Sequence, residues 1–320
     1  MQFIVSNQTN PYWNIAVENY LVERDEGANY QGKADCVMLY LWKNRRTVVI
    51  GQNQNPFSEV NVEALEADGG YLMRRKTGGG AVYHDDGNLN FSFVVPKALY
   101  DQQRQFSVIQ RAVESFGLHT ELSGRNDILV EGRKFSGNAF SKGQKNDLHH
   151  GTLLIRGDMS DLARYLKPKP AKLQKHGVQS VRSRVVNLAE LNPAITPESI
   201  VPRLRAAFEE VYGGCAEEVP FEDLIRCDEV RRLYEEFASD EWKYGRWRTF
   251  TAQRSGQFDW GGVEVALIIE DDIIRDVQLA SDALDLAALD AARHLLTGAD
   301  IKKRPPTESA IVSDILSLVY

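Results

Sequence analysis

Three cations followed by three glycines give this chain its clearest candidate for chemistry. The residues run Arg74-Arg75-Lys76-Thr77-Gly78-Gly79-Gly80-Ala81-Val82-Tyr83-His84-Asp85. Cations attract phosphate or carboxylate groups, and glycines let backbone N–H groups come close to an anion. The spacing matches neither the P-loop nor the dinucleotide-binding fingerprint. The segment therefore predicts an anion-binding loop; the alternative is a glycine turn in a β-hairpin with surface cations beside it.

A second segment, residues 123–139, combines small, polar and cationic residues in a predicted hairpin. Its apolar run Ile128-Leu129-Val130 is typical of a short buried strand. Glu131-Gly132 predicts a tight turn, and residues 134–139 predict the return strand.

This hairpin carries candidate ligand-binding side chains. Asn126 and Asp127 lie near one end of it, with Lys134 on the paired strand. Asp127 is a candidate magnesium ligand, because Mg²⁺ commonly takes one or two carboxylates together with substrate phosphates. Lys134 can donate to phosphate or carboxylate oxygens. Small residues would let a ligand lie flat beside it: Ser136, Gly137 and Ala139. The alternatives are an exposed strand lysine and a turn or capping aspartate.

Two adjacent histidines, His149 and His150, begin a third predicted strand. Neighbouring strand residues point to opposite faces, so only one of the two can face a site. A zinc site is not expected, because the six histidines form no H-x-x-x-H or H-E-x-x-H pattern. We take His150 as the candidate site-lining residue; a structural, hydrogen-bonded histidine is an equal alternative.

Taken together and in order, these motifs resemble the lipoate–protein ligase family, in the larger group that includes biotin–protein ligases and octanoyltransferases. The matching motifs occupy residues 74–85, 87–93, 124–127, 133–139, 149–154 and 180–188. The resemblance covers most of the chain, from Trp13 to about Asn187. Two departures are mild: Lys76 stands where a smaller polar residue is usual, and Asp86 lies beside Asp85.

The resemblance implies a two-step reaction. ATP converts lipoate to lipoyl-AMP and pyrophosphate leaves; a lysine of a lipoyl carrier domain then attacks the mixed anhydride. The implied acceptors are the carrier domains of 2-oxoacid dehydrogenase complexes and the glycine cleavage H-protein. Such chemistry needs positioning and charge neutralisation rather than an enzyme nucleophile.

The resemblance also implies roles for the glycine segment. Arg75 and the run Gly80-Ala81-Val82-Tyr83 would contact ATP. Gly78 and Gly79 would shape the loop that admits the lipoyl tail and the nucleotide.

On the facing hairpin, the resemblance makes Lys134 the catalytic residue, stabilising charge on the lipoate carboxylate, the α-phosphate and the AMP ester. Asp127, with Asn126, would hold Mg²⁺ or the phosphates. A loop around residues 172–184 would close over the adenylate and exclude water. Candidates for an apolar tail pocket, with core packing as the other role for each, are Trp42, Val49 and Phe91.

Three other functions compete with the ligase. A transferase of the same fold would pass an octanoyl or lipoyl group from a cysteine or lysine without ATP, but Cys36, Cys215 and Cys227 lie far from every motif. A lysine-based transferase would share Lys134. A non-catalytic lipoate-binding module would keep the loops but could lose Lys134 or Asp127, and both are present. Biotin–protein ligase is disfavoured because its G-R-G-R-R-G-type loop is missing.

Composition sets broader limits. The chain has 320 residues, which suits two domains, and a net charge of −7, which argues against general nucleic-acid binding. The three cysteines are sparse and odd in number, which favours a reducing cytoplasm without disulfides. No signal-peptide core follows Met1, and the apolar stretch near Val37–Trp42 is too short to cross a bilayer. We expect no nucleic-acid or membrane partner.

The elements that must position these motifs predict an α+β fold. We expect a large domain, 1–245, with mixed or antiparallel β-sheets flanked by helices, and a small α+β accessory domain, 250–320. Asn10-Pro11 predicts a helix start, as does Thr196-Pro197. The other predicted helices span 60–67, 106–116, 221–237, 286–296 and 308–319. Predicted strands span 36–42, 47–51, 69–75 and 88–95, with two or three more in 256–278. Residues 167–184 predict a long functional loop, and 241–248 a linker.

Overall fold

The computed structural model describes residues 1–24, 36–124, 126–167, 185–244 and 250–320. The predicted loop 167–184 lies outside these ranges except for Lys167, as do parts of the 180–188 motif and of the 241–248 linker. The predicted α+β class is confirmed: a large mixed sheet and a small sheet are flanked by helices, and a further small sheet lies near the C-terminus.

The large sheet has eight strands in the order β11-β1-β2-β6-β10-β9-β8-β7. Only the pairs β11–β1 and β1–β2 run parallel, and the other neighbours are antiparallel. The strands are β1 (Gln2–Val5), β2 (Met38–Trp42), β6 (Asn88–Pro96), β7 (Thr120–Ser123), β8 (Asp127–Val130), β9 (Arg133–Lys142), β10 (Asn146–Leu154) and β11 (Glu217–Glu218).

The second sheet has three strands, β3 (Thr47–Ile50), β4 (Tyr71–Arg74) and β5 (Val82–His84). The central strand is β3, with β4 parallel on one side and β5 antiparallel on the other. The glycine segment therefore crosses over β3 between its two neighbours. The alternative of a hairpin turn is wrong, because β4 and β5 do not pair.

Helices cover both faces of the large sheet. One core packs under the helices Gln102–Glu114 and Pro197–Tyr212, and the other lies between the sheet and the helices Pro11–Glu23 and Asp228–Ala238. The Asn10 side chain accepts from the Tyr12 N–H and begins α1, while Thr196 and Ser199 form a capping box at the start of α7. The helices here are α1 (Pro11–Glu23), α2 (Pro56–Glu59), α3 (Val62–Ala67), α4 (Gln102–Glu114), α5 (Met159–Tyr165), α6 (Leu188–Leu191) and α7 (Pro197–Tyr212), with a 3-10 turn at Lys97–Leu99.

The single helix predicted over residues 221–237 is wrong. The structure has α8 (Phe221–Ile225) and α9 (Asp228–Ala238), followed by α10 (Asp240–Tyr244). Cys227 is extended, and Asp228 and Glu229 then supply the first-turn carboxylates that favour a new helix start.

The C-terminal segment forms its own apolar core between one sheet and two helices. The strands β12 (Ala252–Phe258), β13 (Gly261–Glu270) and β14 (Ile273–Ser281) are antiparallel, and α11 (Leu286–Leu296) and α12 (Ala310–Leu316) follow. Across the described ranges, no helix is both long and apolar enough to cross a membrane.

Candidate active site

A polar face of the large sheet lies under the sheet formed by β3, β4 and β5, and this face is the floor of the candidate site. Residues that pair across neighbouring strands point to the same face of the sheet. One such row of paired residues across the strands contains Trp42, Asn90 and Thr152. The next row contains Ser92 with His150 and its partner on β9, Ala139. The polar residues of β6 on this face are at most 1 % exposed: Asn88, Asn90 and Ser92.

The alternation of polar and apolar residues in β6 predicted the strand but did not reveal this floor. An alternating strand normally has one face in water. Here both faces are buried, with Leu89, Phe91 and Phe93 in the core beneath α4. The unusual signal was asparagine at alternate positions, because asparagine is depleted in strands unless its amide has a task.

Lys134 reaches the same face because β9 carries a bulge. Leu129 pairs with Lys134 but Ile128 pairs with Ser136, so Phe135 is an extra residue on β9. The Lys134 side chain lies over Gly137, where a Cβ atom would come within 2.8 Å of Nζ. Nζ is 2.7 Å from Asp127 Oδ1, and the two side chains are 35 % and 33 % exposed. The structure thus brings together three predicted site residues.

Two other predicted residues of the hairpin lie differently. Ser136 is fully buried, and its hydroxyl accepts from Asn138 Nδ2 at 3.3 Å on the opposite side of the sheet. The bulge separates it from the Lys134 face, so the Ser136 side chain does not line the cleft beside Lys134. Asn126 lies beside Asp127, and its Nδ2 donates to the Asn138 carbonyl at 2.9 Å.

The two histidines separate as strand geometry requires. His149 is fully buried beneath α4, while His150 lies on the cleft face at 7 % exposure. His150 Nδ1 is 2.9 Å from Glu18 Oε2, and its Nε2 is 3.0 Å from Thr77 Oγ1. Glu18 also accepts from Ser92. Glu18 and Thr77 were not among the predicted site residues; a glutamate inside an apolar helical stripe was the available signal for the first.

Arg75 lies behind the glycine loop at 7 % exposure. Its guanidinium donates to the carbonyls of Gly78 at 2.8 Å and Gly80 at 2.9 Å, and to Thr77 Oγ1 at 3.0 Å. Burial lowers the pKa of Arg75 to about 10, a shift that the charge of Glu18 opposes, so the group stays protonated at neutral pH. Its donors are directed at the loop, which differs from the predicted direct contact with ATP.

The loop touches a turn of the C-terminal segment, which the sequence motifs did not indicate. The Gly79 N–H donates to the Ala283 carbonyl at 3.2 Å, and Gly79 has a φ of +101°. A Cβ atom on Gly78 would lie 2.3 Å from the same carbonyl oxygen. On the other side, a Cβ atom on Gly51 would lie 2.3 Å from the Gly79 oxygen. Gly78 and Gly51 are therefore required for close packing and Gly79 for its positive φ, whereas Gly80 has open space where its Cβ would stand.

Tyr83, on β5 after the glycines, was predicted to contact ATP, but its side chain points away from the cleft. The Tyr83 hydroxyl donates to Asp161 at 2.9 Å, and its ring lies 5.5 Å from that of Tyr165. Burial, followed by Asp161, raises the pKa of Tyr83. The next residue, His84, is buried with its ring 6.0 Å from Trp42, and burial lowers its pKa to about 3. Within the predicted ATP-contacting run Gly80-Ala81-Val82-Tyr83, the first three residues remain partly exposed.

The three predicted tail-pocket residues divide between the two cores. Trp42 and Val49 belong to the same cluster on the cleft side, and Trp42 Nε1 donates to Ser92 at 3.0 Å. Phe91 faces the other core. Trp42 and Val49 thus remain the apolar candidates, and Phe91 packs away from the cleft.

A magnesium ion could use one protein carboxylate at this site. Within the described ranges, no group of three His, Cys, Asp or Glu side chains is placed to hold a metal ion. Mg²⁺ often keeps several waters and binds one carboxylate together with substrate phosphates. The partly exposed Asp127 fits that mode, and a closed all-protein metal cage does not.

Comparisons with known proteins match this chain to one family over most of its length. The family described as lipoyl protein ligase A/B catalytic domain matches residues 10–209, and that described as bacterial lipoate protein ligase C-terminus matches residues 248–305. The lipoate-protein ligase A of Psychrobacter cryohalolentis is 38 % identical over 94 % of this chain and 88 % of its own.

Solved structures show the same similarity. P. falciparum LipL1 in complex with lipoate is 29 % identical with a TM-score of 0.85, covering 99 % of this chain and 98 % of its own. A lipoate-protein ligase A bound with ATP is 25 % identical with a TM-score of 0.63, covering 76 % and 98 %. The catalytic-family match covers more than half of the chain, and the chain therefore belongs to the lipoate–protein ligase family.

Proposed function

We propose that this protein is an AMP-forming ligase that joins lipoate to a lysine of lipoyl carrier domains. The observation that carries the proposal is the Lys134–Asp127 pair, which stands partly exposed in the cleft that the glycine loop borders. A positioned cation opposite accessible backbone suits charge neutralisation on phosphates. Relatives named lipoate-protein ligase A, and neighbours solved with lipoate and with ATP, support this choice of substrates.

In the first half-reaction, a lipoate carboxylate oxygen attacks the α-phosphorus of ATP. The bond from that phosphorus to the bridging oxygen breaks, and pyrophosphate leaves. The Lys134 ammonium donates to the carboxylate and the α-phosphate, where it offsets the charge that develops in the transition state. Bound Mg²⁺, held by Asp127 with Asn126 nearby, would neutralise phosphate charge.

In the second half-reaction, the neutral amine of the acceptor lysine attacks the carbonyl carbon of lipoyl-AMP. The bond from that carbon to the phosphate oxygen breaks, AMP leaves, and the nitrogen loses a proton to give the amide. Lys134 stabilises the AMP oxygen as it departs. The tail lies against Trp42 and Val49, and the backbone of Gly80-Ala81-Val82 borders the nucleotide.

The transferase is the rival with the most similar chemistry. Cys36 is 6 % exposed in the core at the opposite end of β2 from Trp42, Cys215 is exposed on the surface, and Cys227 caps α9. None of the three therefore lies beside Lys134. The decisive experiment is pyrophosphate–ATP isotope exchange with and without lipoate. Exchange that requires lipoate is the expected result. Absence of exchange, with acyl transfer from an octanoyl-carrier protein instead, would assign the transferase.

Acceptor and domain assignments extend the same proposal. We infer that the acceptors are carrier domains of 2-oxoacid dehydrogenase complexes and the glycine cleavage H-protein, in the cytoplasm. We also infer a catalytic domain over 1–245 and an accessory domain over 250–320. Each apo acceptor is incubated with enzyme, lipoate and ATP, and a mass gain of one lipoyl group is expected. An acceptor whose target lysine is changed to arginine is the matched control.

A further inference from the structure

A line of buried polar side chains runs behind the candidate site and ends at Asn126. It begins at Gln105 on α4, passes through His149 on β10, and reaches Asn138 on β9. Gln105 and His149 are fully buried, and Asn138 is 4 % exposed. Buried polar groups are costly unless each finds a partner, so the directions of these hydrogen bonds are constrained.

The direction can be worked out from the Asn126 end. The Asn126 carbonyl oxygen can only accept, and it lies 2.9 Å from both the backbone N and the Nδ2 of Asn138. The Asn138 amide therefore presents Nδ2 to Asn126. Its Oδ1 then faces His149 Nε2 at 2.9 Å and can only accept. The imidazole must carry its hydrogen on Nε2.

The remaining bonds follow from that tautomer. His149 Nδ1 then becomes an acceptor. The structure places Gln105 Oε1 2.9 Å from Nδ1, so the Gln105 amide must be turned over to present its NH₂ group there. In the opposite amide orientation, Gln105 Oε1 and Asn138 Oδ1 would both face a neutral imidazole that has only one N–H, and Gln105 Nε2 would be buried without a partner among the described residues. Burial also holds the pKa of His149 well below its usual range, which keeps the ring neutral.

We propose that His149 is a positioning residue for the nucleotide: as its Nε2–H tautomer it holds Asn138, and Asn138 fixes the turn that carries Asn126 and Asp127. Gly151 gives this arrangement its space, because a Cβ atom there would lie 2.5 Å from Asn138 Oδ1. Asn126 is held on both sides, since its own Nδ2 donates to the Asn138 carbonyl. Asp127, the next residue, then meets Lys134 at a fixed distance. The inference rests on the proposed function for the identity of the nucleotide.

The kinetic test separates positioning from packing. His149→Phe fills the aromatic pocket but removes both ring hydrogen bonds, and His149→Gln restores a donor toward Asn138. Phe140→Leu is the matched control, because the Phe140 ring packs 4.6 Å from His149 without taking part in the hydrogen-bonded line. We expect His149→Phe to raise the ATP KM about 10-fold or more with an unchanged lipoate KM, since small displacements of positioning groups have large effects. His149→Gln should recover most of that loss.

Three results would overturn the proposal. These are an unchanged ATP KM in His149→Phe, an equal change in Phe140→Leu, and a ¹⁵N NMR spectrum of the wild-type protein that places the His149 hydrogen on Nδ1. The spectrum needs neither a variant nor activity, so it decides the tautomer even if His149→Phe does not fold. ATP dissociation constants from calorimetry give a second readout without turnover. Absence of lipoate-dependent exchange in the wild type would instead count against the proposed function alone.

Discussion

Arg75 and Lys134 border the same cleft, yet the structure uses the two cations in different ways. Arg75 is 7 % exposed and directs its guanidinium at the carbonyls of its own loop. Lys134 keeps 35 % of its side chain exposed and pairs with an equally accessible carboxylate, Asp127. A buried guanidinium suits a permanent structural role, because its several N–H groups can donate to several fixed acceptors at once. An exposed ammonium can exchange its partner for a ligand. The comparison predicts that Arg75 stabilises the fold and that Lys134 takes part in the reaction.

The largest expected effect tests the chemical side of this comparison. Lys134→Ala should lower lipoate-dependent pyrophosphate exchange by on the order of 1000-fold, because a donor aimed at developing charge is lost. Its unfolding free energy should change by less than about 1 kcal/mol, since exposed ion pairs contribute little. Exchange kinetics and urea unfolding measure the two effects. Lys142→Ala, at the exposed end of the same strand, should leave both unchanged. Exchange that persists in Lys134→Ala would refute its role.

The next largest effect tests the structural side. Arg75→Lys should destabilise the protein by about 2 kcal/mol, because one ammonium cannot satisfy the carbonyls of Gly78 and Gly80 together with Thr77. Urea unfolding provides the measurement. The control is Lys76→Ala, which removes an exposed ion pair to Glu23 and should cost about 0.5 kcal/mol. Equal losses in the two variants would mean that Arg75 is no more structural than its neighbour.

The sequence predicted much of the Lys134 side of the cleft and less of the Arg75 side. Local patterns identified the hairpin turn at Glu131-Gly132, where both residues have positive φ, and the caps at Asn10 and Thr196. They could not place Ser136, because a bulge changes which face each residue occupies without a clear sequence signal. Nor could they predict that Arg75 would turn back on its own loop, since that depends on tertiary packing.

Contacts between distant segments were equally hidden from the sequence. The turn at Ala283 contacts the glycine loop, although the two segments are about 200 residues apart in the sequence. Neither segment has a sequence pattern that predicts this contact. The polar floor was partly visible, because Asn88, Asn90 and Ser92 alternate in β6. Polar alternation usually indicates a solvent-facing strand, and only the position of the small sheet shows that this face is buried.

A smaller effect is expected where the loop meets the C-terminal turn. Gly78→Ala places a methyl group 2.3 Å from the Ala283 oxygen, so the turn or the loop must move. We expect a loss of about 1–3 kcal/mol, as for overpacking elsewhere, and faster amide hydrogen exchange at Gly79, whose N–H bonds to that oxygen. Gly80→Ala is the matched control, because its Cβ would stand in open space. Unchanged exchange at the Gly79 amide in Gly78→Ala would show that the contact does not hold the loop.

A small effect on stability is also expected from Asp127→Asn, and this variant sharpens the comparison most directly. The change removes one charge of the Lys134 pair but keeps the side-chain shape, so unfolding free energy should fall by less than about 1 kcal/mol. Glu131→Gln, which removes a more exposed pair with Arg133, should also cost less than about 1 kcal/mol in urea unfolding. The two variants should differ in catalysis: only Asp127→Asn should raise the Mg²⁺ concentration needed for half-maximal exchange, because only Asp127 lies where a phosphate-bound ion would need a carboxylate.

A loss of several kcal/mol in Asp127→Asn would mean that the Lys134 side of the cleft is built as rigidly as the Arg75 side. The exposed pair would then be a structural element, and the contrast between the two cations would disappear.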